Sequence, residues 1–225
     1  MRSCALYLRY AGAVALLAAC TVDRVVPTAP DQVSLITRGG ELAGDSYPET
    51  VLLVFDVDGE PAWRCSGTLI SPTVVLTAGH CTDEPGVISG ARVFTESNVD
   101  KGNNNYPLAG PNSVEAVEWA SHPQFSNSAF YLHDVGVVRL ASAVPLPAYG
   151  KLPAVKALES MRPGQRSPFT AVGYGVQRTN PARTIAARVR MFATPHLIQI
   201  NTAFTGSYSI LLSNKPIGKS FISKY

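Results

Sequence analysis

Beyond its first twenty residues, this chain of 225 residues has no stretch with a sustained apolar helical period. What recurs instead is a short β-branched or apolar run closed by Gly, Pro, Asn or Ser. Val51–Val57 (VLLVFDV) runs into Asp58-Gly59, a two-residue hairpin signal, and the chain returns as Ala62–Ile70 (AWRCSGTLI). Thr73–Leu76, Ala91–Thr95, Val114–Trp119, Val135–Leu140, Phe169–Val172, Ala187–Phe192 and Leu197–Asn201 read as further strands. The breaks use much of the chain's 18 glycines and 17 prolines, which predicts an all-β sandwich or barrel. No repeat at a fixed period is present. Lys101–Asn105 (KGNNN) reads as a loop tip with too few carboxylates for calcium.

The start of the chain is a different kind of segment. Arg2 and Arg9 form a basic beginning, and Ala11–Ala19 is an apolar run too short to cross a bilayer as a helix. It ends in Leu17-Ala18-Ala19-Cys20, which resembles a bacterial lipobox. That resemblance implies a signal peptide over residues 1–19 and a lipidated Cys20. It further implies a membrane anchor in which each buried methylene contributes about 0.8 kcal/mol. The alternative is an ordinary secretory signal cleaved nearby, with Cys20 a bystander. Both readings export the protein, the first to a bacterial cell envelope. Residues 20–35 then carry Cys20 and a polar, proline-containing tether (TVDRVVPTAPDQVSL).

Composition adds two exclusions. With 46% hydrophobic and 16% charged residues the chain is not of the disordered kind. Its formal charge of +3 includes Arg2 and Arg9 of the expected signal, so nothing pulls it toward nucleic acid. Of the four cysteines, Cys4 lies in the signal and Cys20 is the lipid candidate. Cys65 and Cys81 remain. They suit either a disulfide, worth about 3 kcal/mol for so short a loop, or a metal site. The lack of a paired CxxC speaks against a metal.

The chemistry-bearing segment runs Cys65-Ser66-Gly67-Thr68-Leu69-Ile70, then Ser71-Pro72-Thr73-Val74-Val75-Leu76, then Thr77-Ala78-Gly79-His80-Cys81. It closely resembles the trypsin-like serine proteases, in which a Ser-Gly-Thr-Leu-Ile strand leads through an apolar strand to Thr-Ala-Ala-His-Cys. The resemblance implies a Cys65–Cys81 disulfide and His80 as general base. Leu132-His133-Asp134-Val135-Gly136-Val137-Val138-Arg139-Leu140 resembles that family's Asp-Ile-Ala-Leu-Leu-Arg-Leu. It implies that a buried Asp134 orients the histidine and stabilises its charged form. Asp134 follows His80 by 54 positions, against roughly 45 in the family's template, and the loop around Asn103 can absorb the difference. His122-Pro123 also sits where the family often has His-Pro; His122 and His133 read as loop residues. Ala171-Val172-Gly173-Tyr174-Gly175 is a weaker match to a Gly-Trp-Gly that opens the family's second barrel.

The family's nucleophile sits in Gly-Asp-Ser-Gly-Gly, and this sequence contains no such segment. On the template the serine lies about 90 residues past the aspartate, which counts to the final residues here. Those residues hold Ser220 and Ser223 without the paired glycines that aim backbone N–H groups at an oxyanion. Gly218-Lys219-Ser220 lacks the first glycine and the strand-to-helix setting of a phosphate-binding loop. Thr37-Arg38 before Gly39-Gly40 give no support for activation through a new apolar N-terminus.

The resemblance therefore implies a chymotrypsin-like double β-barrel over residues 36–225, with a first barrel over about 36–145 and an incomplete second over about 146–225. The second barrel is expected to leave Leu197–Ile200 and Ile210–Leu212 without packing partners. The expected function is serine endopeptidase by family, acting on proteins or peptides without cofactor or metal. As written the chain is expected to be nearly inactive, as a truncated or frameshifted product. The alternative is a pseudoprotease lipoprotein that serves as a binding module.

Overall fold

The computed structural model describes residues 40–83, 86–129, 132–180, 183–200 and 210–213, all within the unit Val33–Tyr225. The expected signal, Cys20, the tether, Ser220 and Ser223 lie outside the described residues.

The chain enters through β1 (Glu41–Leu42) and then builds a barrel from β2 (Thr50–Val57), β3 (Glu60–Ser71), β4 (Val74–Thr77), β5 (Ile88–Phe94), β6 (Ser113–Ser121) and β7 (Gly136–Leu140). The order β2-β3-β4-β7-β6-β5 closes on itself, so the sheet has no free edge. A short helix, α1 (Gly79–Thr82), follows β4; four residues are too few to leave a helical period in the sequence.

β2 shows why the first half reads so clearly. Val51, Leu53 and Phe55 point into the barrel against Leu69, Val75 and Val138. Leu52 and Val54 point outward against Phe94, Val99 and Tyr174. Both faces are covered, so the strand is a continuous apolar run. β7 is covered on one face, and Gly136, Val138 and Leu140 alternate with exposed Val137 and Arg139.

The second half is built from smaller sheets. β9 (Ala171–Gly173), β12 (Met191–Ala193) and β1 form one of three strands. β8 (Gly164–Pro168), β13 (His196–Ile200) and β14 (Ile210–Leu212) form another, and β10 (Arg178–Asn180) pairs with β11 (Arg183–Ile185). The all-β expectation holds. Three local expectations change. β1 lies in the span expected to feed the first barrel, yet it pairs with β12. The strand expected over Ala187–Phe192 begins only at Met191, because the preceding residues bond to a loop: Val99 N–H donates to Arg188 O at 2.9 Å and Arg190 N–H to Ser97 O at 2.7 Å. Leu197 is fully buried and β13 pairs with β14, so these two strands supply partners that they were expected to lack.

Tyr174 and Arg190 are among the side chains that tie this half to the barrel. Tyr174 Oη donates to Glu96 O at 2.7 Å, and its N–H donates to Ser66 Oγ at 2.8 Å. Arg190 is 2% exposed and its guanidinium donates to the carbonyls of Thr50 and Thr95 at 3.0 and 2.7 Å. Burial pushes the Tyr174 phenol up from its ordinary 10.0, against an opposing pull from Arg190. A phenol with a raised pKa holds its proton in the folded state after the unfolded chain has lost it. Its stabilisation is therefore present below pH 10.0 and is lost as pH rises through the folded value. Tyr174→Phe is expected to flatten the alkaline limb of stability measured by urea melts between pH 9 and 11 (roughly one unit either side of an ordinary tyrosine). An unchanged limb would refute the assignment.

Candidate active site

His80 sits on α1 and Asp134 on the turn that leads into β7. Two glycines let these segments approach. A Cβ on Gly79 would lie 3.0 Å from Val135 N and 3.1 Å from Phe125 Cγ. A Cβ on Gly136 would lie 2.7 Å from Ala78 O and would also strike the Thr82 side chain. With both Cβ atoms absent, the backbone N–H of His80 donates to Asp134 Oδ1 at 2.8 Å. The ring Nδ1 meets the same carboxylate at 2.9 Å from Oδ2 and 3.2 Å from Oδ1.

That contact sets the tautomer. An ionised carboxylate only accepts, so in the neutral ring Nδ1 carries the proton and Nε2 the lone pair. The imidazole is 55% exposed while Asp134 is 27% exposed, so the pair is shielded on the carboxylate side and open on the ring side. Asp134 is thus half-buried rather than fully buried. Among the described residues no serine hydroxyl is hydrogen-bonded to His80.

The carboxylate is held from both sides. His133 adopts φ 54°, and Val135 N–H donates back to His133 O at 2.7 Å, so the backbone folds tightly around Asp134. His122 N–H donates to Val135 O at 2.8 Å, and the His122 and His133 rings stack with centroids 4.8 Å apart. These two were expected to be loop residues, and they brace the turn that presents the aspartate.

Cys65 of β3 and Cys81 of α1 form a disulfide with a Cα–Cα distance of 6.4 Å. Trp63 Nε1 donates to Cys81 O at 3.2 Å, and its ring stacks on Phe55 of the core. The histidine's helix is therefore fastened to the barrel by one covalent and one hydrogen bond. Trp63 had no signal of its own in the sequence, because its role depends on which carbonyl it faces. Cys65, Cys81 and His80 also place their ligand atoms within 4.8 Å of one another, though both sulfurs are in the disulfide.

A second serine–histidine contact lies elsewhere. Ser213 Oγ is 2.7 Å from His196 Nδ1 and also accepts from His196 N–H at 3.0 Å. Ser213 is 5% exposed, which makes this a clasp at the end of the β13–β14 pair rather than a group open to substrate.

The sequence model of a family described as Trypsin matches residues 38–202. Chymotrypsin-like elastase family member 1 of Canis lupus familiaris is 29% identical over 152 residues, 67% of this chain and 56% of the relative. Brachyurin of Leptuca pugilator is 29% identical over 144 residues, 63% of this chain and 56% of the relative. The chain thus spans about half the length of the curated relatives it matches. Among solved structures, HL collagenase aligns with a TM-score of 0.56 at 17% identity, covering 80% of this chain and 73% of that one. The Vibrio cholerae VesB protease aligns with a TM-score of 0.51 at 23% identity, covering 71% of this chain and 44% of that one. At these identities the structural likeness speaks to the fold.

Proposed function

This chain belongs to the trypsin family, and from that premise we propose that it carries the proton-handling half of a serine endopeptidase site acting on proteins or peptides. The observation that carries the reading is the pair of contacts from His80, backbone N–H and ring Nδ1, onto one carboxylate, with the imidazole open to solvent. His80 Nε2 takes a proton from an attacking hydroxyl and returns it to the leaving amine. Asp134 fixes the tautomer and stabilises the imidazolium. The sequence contains no Gly-Asp-Ser-Gly-Gly, so the nucleophile is assigned to no residue of it. Keeping the His80–Asp134 geometry favours the enzyme reading over a binding module, which has no use for it.

The same proposal includes export, with removal of residues 1–19 and lipidation of Cys20 at a bacterial envelope membrane. No helix among the described residues is long and apolar enough to cross a membrane.

A fluorophosphonate probe labels activated serines and tests the site directly. Labelling of the chain that disappears in His80→Ala supports the endopeptidase reading and locates the nucleophile by peptide mapping. No labelling, together with a ring proton found on Nε2 rather than Nδ1 of His80 by ¹⁵N resonance in the folded chain, sinks it in favour of a binding module.

A further inference from the structure

We propose that Cys65, Cys81 and His80 form a zinc site that opens when the Cys65–Cys81 disulfide is reduced. Two cysteine sulfurs and a ring nitrogen of His80 already lie within 4.8 Å of one another. A zinc ion takes sulfur at about 2.3 Å and imidazole nitrogen at about 2.0 Å, which sets its ligands roughly 3.5–3.8 Å apart in tetrahedral geometry. Once the covalent bond is broken, the sulfurs need only separate to that distance. The Cα atoms are 6.4 Å apart, so side-chain rotation suffices without moving β3 from α1. Two thiolates and a neutral imidazole match zinc's preference for sulfur and nitrogen, and the thiolates balance the ion's charge.

The frame that holds these groups does not depend on the disulfide alone. His80 N–H and Nδ1 stay on Asp134, and Trp63 Nε1 stays on Cys81 O. A carboxylate behind a ligating histidine is the usual outer partner of such a site, because it orients the ring and raises its basicity. Cys81 is 2% exposed and Cys65 is half-buried, so an external thiolate reaches the Cys65 sulfur first. The steps balance with a dithiol as reductant. Its thiolate attacks Cys65 Sγ, the S–S bond breaks, and Cys81 leaves as a thiolate that takes up the proton given up by the attacking thiol. The second thiol of the reductant then closes its own disulfide and frees Cys65. The protein gains two electrons and two protons, and zinc binding releases those two protons.

The ion also silences the histidine. Bound at Nε2, it takes the lone pair that would accept a proton, while Nδ1 keeps its contact with Asp134. Binding itself follows from the cluster's geometry, whereas this consequence rests on the reading of His80 as general base. The test reads binding without turnover, so the two ideas fail separately.

The full chain is reduced with a phosphine, which competes little for metal, and titrated with cobalt(II) as a coloured stand-in before displacement by zinc. The reduced chain is expected to bind one equivalent, with a thiolate-to-cobalt charge-transfer band, and the oxidised chain none. Cys81→Ser loses the band. His80→Ala weakens zinc binding by more than about tenfold, since even loss of an outer partner costs about 10–100-fold. Absence of the band in the reduced chain, or unchanged affinity in His80→Ala, overturns the proposal. Should reduction unfold the chain, recovery of its far-ultraviolet dichroism on adding zinc supports the site, and failure to recover it overturns the site.

Discussion

Asp134→Asn is expected to move the ring proton of His80 from Nδ1 to Nε2 while the chain stays folded, a change that costs a complete serine protease site on the order of 10⁴-fold in turnover. The reason lies in donors and acceptors rather than shape. The carboxylate receives the His80 N–H at 2.8 Å and ring Nδ1 at 2.9 Å, on two acceptor oxygens. An amide offers one oxygen and one NH2 group. The backbone N–H cannot change, so it keeps the oxygen, and the NH2 is left facing Nδ1. Nδ1 must then accept, which moves the ring proton to Nε2. A histidine with a proton on Nε2 cannot act as a base toward a hydroxyl at that nitrogen. The tautomer is readable without turnover: in ¹⁵N-labelled protein the protonated nitrogen should switch from Nδ1 to Nε2. An unswitched tautomer would sink the assignment of Asp134.

Arg190→Met is expected to cost about 3–5 kcal/mol of stability. Methionine keeps much of the volume but donates nothing. The guanidinium serves the carbonyls of Thr50 and Thr95 at 3.0 and 2.7 Å, and more weakly those of Gly44 and Ser46 at 3.4 and 3.3 Å. Each orphaned carbonyl costs roughly 1 kcal/mol, and the cation over the Tyr174 ring adds about 0.5–1 kcal/mol. Against a total near 5–15 kcal/mol this is a large fraction. It also falls on one joint, because Arg190 adjoins β12 whereas its acceptors lie at β2, after β5 and between β1 and β2. Urea unfolding should therefore shift to lower denaturant and separate into two steps as the halves uncouple. Arg190→Lys, which reaches fewer carbonyls, should fall between. A loss under about 1 kcal/mol for the methionine variant would refute the caging role.

The first barrel was largely legible in advance, and particular strands show why. Val51–Val57 and Val135–Leu140 were expected within a residue of where β2 and β7 lie. Their burial comes from their own apolar side chains, so residue type alone reports it. β8 was missed because Gly164-Gln165-Arg166-Ser167-Pro168 has no apolar alternation to read. β10 and β11 were missed for the same reason, and α1 because a single turn has no period. Val189 was expected inside a strand and forms only an isolated bridge to Asn98.

The site divides the same way. Resemblance to a known family marked His80, Asp134, Cys65 and Cys81, because a specific local pattern surrounds each of them. Local patterns persist in a string. How those residues meet was decided only by the folded chain. Two missing Cβ atoms let α1 close on the turn before β7, so that Asp134 receives both the backbone and the ring of His80. The brace of His122 on His133, the hold of Trp63 on Cys81 and the carbonyl cage around Arg190 are likewise contacts between residues far apart in sequence or set by turn geometry. A hydrogen bond depends on angle and distance across the fold. Sequence names the donors and acceptors, and tertiary structure chooses the pairs.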